Sequence, residues 1–395
     1  MVLGGKQANH LGFNALPQAA DARGKQAGLR FHRLLCGGRV VKWRGRAASC
    51  APGVAEIFTG LARRALPALL AAAVTGTDAW AEDQAELYRW WAPHRDSGPG
   101  GPGLWNTTDP TWSTKPDGSG PYTLWNNVRG GIAVFSGKPG TVTVVEGEMV
   151  AHGLVFETDG YRFEGWSTVS LAANPTITLA GTDITATFEN TLAVKESDLL
   201  RIAGGGRLVI AKLLQAPGVE VRIEGTRVAL QGNAVYEGGD DGSLLIAGNE
   251  DGSASLTLTG QSASMTTGLV ELGEFVTGSG RAAFVLEGGA KARVNDLVFN
   301  LGEDLVSTVD VTGKAAFNPS RLSVQTLAVY HQKSATVSVT DGGEIDATHL
   351  QIGGEPGFDP IWEDTAATIN VSGDGRHQRQ SAHRQLGLPL GKFAD

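Results

Sequence analysis

His94 and the run Asp96-Ser97-Gly98 put an imidazole, a carboxylate and a hydroxyl within a few positions of one another. Those are the residue types of acyl transfer, in which a base activates a hydroxyl nucleophile. The run, however, lies in Ser97-Gly98-Pro99-Gly100-Gly101-Pro102-Gly103, whose composition makes a flexible linker. A triad needs members delivered by separately folded elements, and no Gly precedes Asp96. Peptide hydrolysis is therefore not the reading. Two acidic turns, Gly238-Gly239-Asp240-Asp241-Gly242 and Asn249-Glu250-Asp251-Gly252, offer oxygens of the kind Ca²⁺ takes. They lack the nonapeptide repetition of Ca²⁺-binding rolls, which favours solvated turns. His152, His331 and His349 stand singly among apolar runs, and structural histidines are the default there over metal ligands. The chain contains no nucleophile elbow, Walker loop, H-E-x-x-H pair or EF-hand spacing. No catalytic, cofactor or metal residue is assigned, and no cofactor is expected.

The elements around these residues read as strands. From Leu124 to Asn190 short alternating runs recur: Val142/Val144, Leu154/Phe156, Tyr161/Phe163, Val169/Leu171 and Ile177/Leu179. Each ends within a few residues at Gly, Asn or Asp, which fits period two and not the helical period. With 55 Gly and only 7% aromatic residues, the composition suits many short strands and tight corners better than a helical domain. Further on, one phrase returns five times. It starts at Leu256, Phe284, Val309, Val337 and Ile369, always as apolar-x-apolar-polar before a Gly. A second strand lies between the repeats: Leu269-Val270-Glu271-Leu272, Leu297-Val298-Phe299, Leu327-Ala328-Val329 and Leu350-Gln351-Ile352. Spacing of this order marks a solenoid whose coils bury their apolar stripes against one another. Propeller blades need four strands and about 40–45 residues per repeat, so the spacing argues against a propeller.

At the level of residues, 124–190 resembles the passenger region of type V autotransporters of Gram-negative bacteria, with their autotransporter-associated β-strand repeats. The matching elements are Ala133-Val134-Phe135-Ser136-Gly137, Gly140-Thr141-Val142-Thr143-Val144 and Gly153-Leu154-Val155-Phe156 before Thr158-Asp159-Gly160-Tyr161. The lead-in that holds Trp105, Trp112 and Trp125 is also typical of that family. The likeness covers roughly 100–190 closely and continues in rhythm to about 373. It implies an all-β fold, a right-handed parallel β-helix, over 105–373. The three tryptophans are expected either to cap the open apolar end of the first coil or to form a sugar-stacking platform, and the cap is favoured.

The flanks read differently. Residues 1–60 show no period and are expected to be unstructured, with a misassigned start as the explanation. Over 61–81, Arg63-Arg64, an apolar run and Ala79-Trp80-Ala81 before Glu82 are the parts of a secretory signal peptide cleaved after Ala81. Residues 82–104 are expected to be a flexible leader. Over 1–64 the net charge is +9, over 65–375 it is −20, and over 376–395 it is +3. An acidic body repels phosphate, so nucleic acid is not a partner. Cys36 and Cys50 are the two cysteines, which excludes a disulfide scaffold beyond them. The tail 374–395 turns abruptly to Gln, His and Arg and is expected to be disordered, with a frame shift as one explanation. The family's translocation barrel of about twelve strands has no counterpart in this sequence, so the expectation is a truncated passenger.

The function expected is that of an exported rod for adhesion, autoaggregation or display, with an unidentified host or bacterial surface ligand as partner. A complete protein of this kind stands at the cell surface or outside it; as written, the chain would stop in the periplasm. The alternative is a polysaccharide lyase or glycosidase, which needs carboxylates grouped at one coil position. The acids do not repeat that way.

Overall fold

The computed structural model describes residues 34–36, 39–41 and 87–372, apart from 96, 249–252, 274–279, 301, 314–317, 331 and 353–366. The residues expected to form the signal-cleavage site, Ala79, Ala81 and Glu82, and the tail 374–395 lie outside the described residues. The chain divides into two units, Met1–Thr75 and Gly76–Asp395. In the first, Leu34–Cys36 pairs antiparallel with Arg39–Val41.

The second unit is a parallel β-solenoid, and its described residues contain no helix. One sheet, called straight here, stacks eleven strands in chain order. It runs from Gly103–Trp105 through Thr141–Val144, Tyr161–Glu164, Thr185–Phe188, Arg207–Ile210, Arg227–Gln231 and Ser253–Thr259. Arg281–Glu287, Gly302–Thr312, Gln332–Thr340 and Ala367–Val371 complete it. The other sheet is folded lengthwise into two faces, giving each coil three sides. Thr168–Leu179 is a single strand with a bend where Ala173 (φ 62) and Asn174 (φ 54) adopt left-handed conformations. In the next coil that bend opens into two strands, Thr191–Val194 and Leu199–Gly204.

Register follows the side-chain alternation. On the straight sheet Phe163, Phe188, Ile210, Leu230, Leu258 and Leu286 stack in one buried column. Ile177, Ile202, Ile223, Ile246, Leu272 and Phe299 form a second on the folded sheet. Successive side chains of a strand point to opposite faces, so every second residue feeds a column and the rest face solvent. Leu256, Phe284, Val309, Val337 and Ile369 are consecutive partners, so the repeated phrase of the sequence is the stacking register itself. One position of the second phrase differs. Val270, fully buried, stands opposite Leu297, whereas Leu269 pairs with Asp296 and lies only partly buried. The bend at Gly268 shifts the alternation there, because its missing side chain leaves room for the Asp240 carbonyl of the coil below; a Cβ would come within 2.1 Å of that oxygen.

The leader expected over 82–104 is, from Tyr88 on, part of the fold. Tyr88–Trp91 pairs parallel with Ile132–Phe135 and antiparallel with Trp112–Ser113, which in turn pairs with Tyr122–Thr123. Burial of Trp91 and the donation of its Nε1 to the Gly101 carbonyl (2.9 Å) order a stretch that its Pro and Gly content suggests is loose.

Candidate binding surface of the rod

Trp105, Trp112 and Trp125 come together at this first coil, and Trp91 and Phe135 join them. Ring centroids are 5.2 Å apart for Trp105 and Trp112, 5.1 Å for Trp105 and Trp125, and 4.6 Å for Trp112 and Trp125. All three indoles are at most 3% exposed, so none offers a free face to a sugar ring. Trp125 Nε1 donates to the Val150 carbonyl at 2.9 Å, while the Nε1 atoms of Trp105 and Trp112 are buried without a partner. An aromatic series leads inward from the cluster, with Phe135 stacked on Phe156 at 5.3 Å and Phe163 on Phe188 at 4.4 Å.

The residues singled out for chemistry remain apart. Ser97 Oγ donates to the His94 carbonyl (3.0 Å) rather than to an imidazole, both residues are exposed, and Asp96 lies outside the described residues. Asp240 and Asp241 are exposed on the bend of Val235–Ala247, and Asn249 to Gly252 lie outside the described residues. His152 is half-buried with its ring packed over Gly130, where a Cβ would approach to 2.4 Å. The structural role expected for His349 is corrected: it is exposed, paired outward with Thr326, because the strand's alternation there turns it to solvent. His331 lies outside the described residues. Among the described residues no three His, Cys, Asp or Glu gather as a metal site.

What the stack does build is a set of outward columns. On the straight sheet Ser255, Ala283, Thr308, Thr336 and Thr368 are successive partners, beside Thr257, Val285, Asp310, Ser338 and Asn370. A third column holds Thr259, Glu287, Thr312 and Thr340, in which Thr259 bonds Glu287 (2.8 Å) and Thr312 bonds Thr340 (3.1 Å). Hydroxyls dominate this face, and each can both donate and accept. The folded sheet adds further charges, with Lys291, Arg321 and Glu344 in one column and Arg293, Ser323 and Asp346 in the next outward one. Several charges tie neighbouring coils together: Arg162 to Glu189 (2.5 Å), Arg201 to Glu224 (2.6 Å) and Arg321 to Glu344 (2.8 Å). Exposed pairs of this type contribute only about 0–1 kcal/mol each.

Glu148 reaches further. Its carboxylate accepts from Lys195 Nζ (2.5 Å) and from Ser170 Oγ, which joins three coils through one side chain. The Lys195 hydrogen bond first, and then Ser170, hold its pKa below the usual glutamate value. The unfolded chain lacks both partners, so this clamp is fully present above the ordinary glutamate range and is lost as pH falls through the depressed value. Glu148→Gln is accordingly expected to flatten the stability-versus-pH curve on its acid side and leave the remainder of the curve parallel to wild type, as measured by urea melts at a series of pH values.

Two features of this surface are not marked by any motif in the sequence. Glu146, at φ 74, accepts from Thr107 N (2.9 Å), Thr107 Oγ1 (2.9 Å) and Thr108 Oγ1 (3.2 Å), fastening the loop after the first rung. These neutral donors, the Thr107 amide foremost, keep its pKa low and its charge in place. The other is Trp166, 69% exposed on the corner after Tyr161–Glu164. A bulky aromatic directly after a Gly that ends a strand is the one signal that could have flagged it.

Comparison with known proteins fits this architecture. No family profile matches the chain, and no solved structure matches it. Over 273 residues it is 33% identical to an adhesin autotransporter, BmaC, of Brucella suis biovar 1 (strain 1330). The match covers 68% of this chain and 8% of that protein, so the chain spans a small part of its relative's length.

Proposed function

From the premise that this chain belongs to the autotransporter passengers, we propose that it is an exported, surface-displayed β-helical rod that works by adhesion or self-association rather than by catalysis. The observation that carries this reading is the outward face of the straight sheet, where hydroxyls predominate across the columns although Ala283, Val285 and Glu287 break them at one coil. Such a face forms many weak, multivalent hydrogen bonds with a partner surface. The name of the Brucella suis relative supports adhesion, and the carboxylates Glu148, Glu189, Glu224 and Glu344 are each engaged by a basic side chain instead of converging in a cleft. A glycosidase needs two carboxyl groups free to flank a scissile bond. Display on a non-adherent cell with a functional anchor is expected to increase attachment or clumping. Unchanged attachment to a panel of surfaces and matrix proteins, with glycan cleavage by the purified chain, would replace this reading with the enzymatic one.

A further inference from the structure

Trp166 is the most exposed large aromatic among the described residues, and no other ring packs against it there. Its surroundings follow from register. Thr168 pairs with Glu148 and its amide bonds the Gly147 carbonyl, so the corner holding Glu146 lies on one side. On the other, Phe163 pairs with Phe188, which sets Glu189 beside Glu164 and leaves Gly165 and Trp166 with no counterpart in the shorter next corner. Coils are about 4.8 Å apart, so the corners on either side of Trp166 each bring a carboxylate residue, Glu146 and Glu189. Glu164, two residues before it, bonds only the neutral Thr143 (3.4 Å). Glu146 is likewise held by neutral donors, and Arg162 balances Glu189 alone. The corner therefore keeps a net negative charge around an exposed π-face. Beneath it Ser167 Oγ and Asn190 Oδ1 are buried without partners, so side-chain bonding does not fully saturate the corner.

We infer that this corner is a docking point for a cationic side chain, an Arg or Lys on a partner polypeptide. A guanidinium or ammonium over an indole gains a cation–π attraction, and flanking carboxylates strengthen it while disfavouring anionic partners. Solvent-exposed tryptophan is also the residue type most enriched where binding energy concentrates. The rod's acidic character steers the same class of partner toward it. The inference rests on the binding-rod reading and names the chemistry of one contact on it.

The probe is a short fluorescently labelled peptide of alternating Gly and Arg, titrated against the full chain at low ionic strength. Trp166→Ala is expected to weaken binding about threefold to tenfold, and Trp166→Phe by less, since a smaller π-face remains. Glu344→Gln, many coils away, serves as the charge control and is expected to change little. Equal binding by wild type and Trp166→Ala overturns the proposal and leaves only the general field of an acidic rod. Protection of Trp166 from acrylamide quenching by a neutral oligosaccharide, but not by the peptide, also overturns it and assigns the corner to a sugar. Because the assay uses purified chain, its failure is separable from failure of cell attachment. All these variants are exposed, and unchanged melting curves confirm that they fold.

Discussion

Replacing Trp105 with Ala is expected to cost about 3–5 kcal/mol and to loosen the first coils before the rest of the rod. Trp105 is fully buried and touches Trp112, Trp125, Phe135 and Phe163, so the deletion removes one of the cluster's buried indoles. In a solenoid each coil is supported only by its neighbours, so a damaged end frays inward. Trp105→Phe should be much milder. It keeps most of the apolar volume and removes an indole N–H that has no acceptor, and an unmade buried hydrogen bond costs about 1–3 kcal/mol. Hydrogen exchange resolved along the chain separates the two variants. The end-cap account requires lost protection in Trp105→Ala to start at Tyr88–Trp91 and Gly103–Trp105 and fade toward the middle. Uniform loss along the rod would mean that the cluster is part of one global core instead.

The second large effect comes from a pair of adjacent residues. Leu258 stacks between Leu230 and Leu286 and is fully buried, whereas Thr257 faces outward between Ala229 and Val285. Leu258→Asp leaves a carboxylate without a partner inside the column, a mechanism at the top of the range for single substitutions, above about 4 kcal/mol. Thr257→Asp on the solvent side is expected to stay within about 0.5 kcal/mol of wild type. Because coils depend on nearest neighbours, Leu258→Asp should leave the coils from Tyr88 to Gln231 folded. Limited proteolysis is then expected to yield a resistant fragment from that half, absent from Thr257→Asp. Complete digestion of Leu258→Asp with no intermediate would indicate a single cooperative unit.

The sequence makes the straight sheet more legible than any other part. The partners Leu256, Phe284, Val309, Val337 and Ile369 can be aligned directly because the same short phrase occupies the same place in each coil. The third face is harder to see. Its corner depends on left-handed backbone at Ala173 and Asn174 and on bends at Gly239 and Gly268, and single residues of that kind carry no periodic signal. For the same reason the second phrase slips by one at Leu269. Tyr88–Trp91 is missed because a strand of four residues between an acidic run and a Pro/Gly segment has too little alternation to read. The tryptophans of the first coil stand out by type, but only the structure shows that their faces are buried. Trp166 differs from them by exposure alone, which sequence does not report. The hydroxyl columns combine residues from coils 25 to 32 positions apart, so they become visible only once register is known.

Every outward column, and with them the proposed binding face and the Trp166 corner, depends on parallel coils stacked in register. Disulfide mapping tests that most directly, in a background with Cys36 and Cys50 replaced by Ser. Thr308 and Thr336 are paired across adjacent coils, so Thr308→Cys with Thr336→Cys is expected to oxidise readily, their Cα atoms lying within the roughly 4.4–6.8 Å that a disulfide spans. Thr308→Cys with Ser338→Cys is one outward step further along the strand, about 8 Å away, and is expected to remain reduced under the same conditions. Efficient oxidation of the second pair and not the first would contradict the stacking register and the surface built on it.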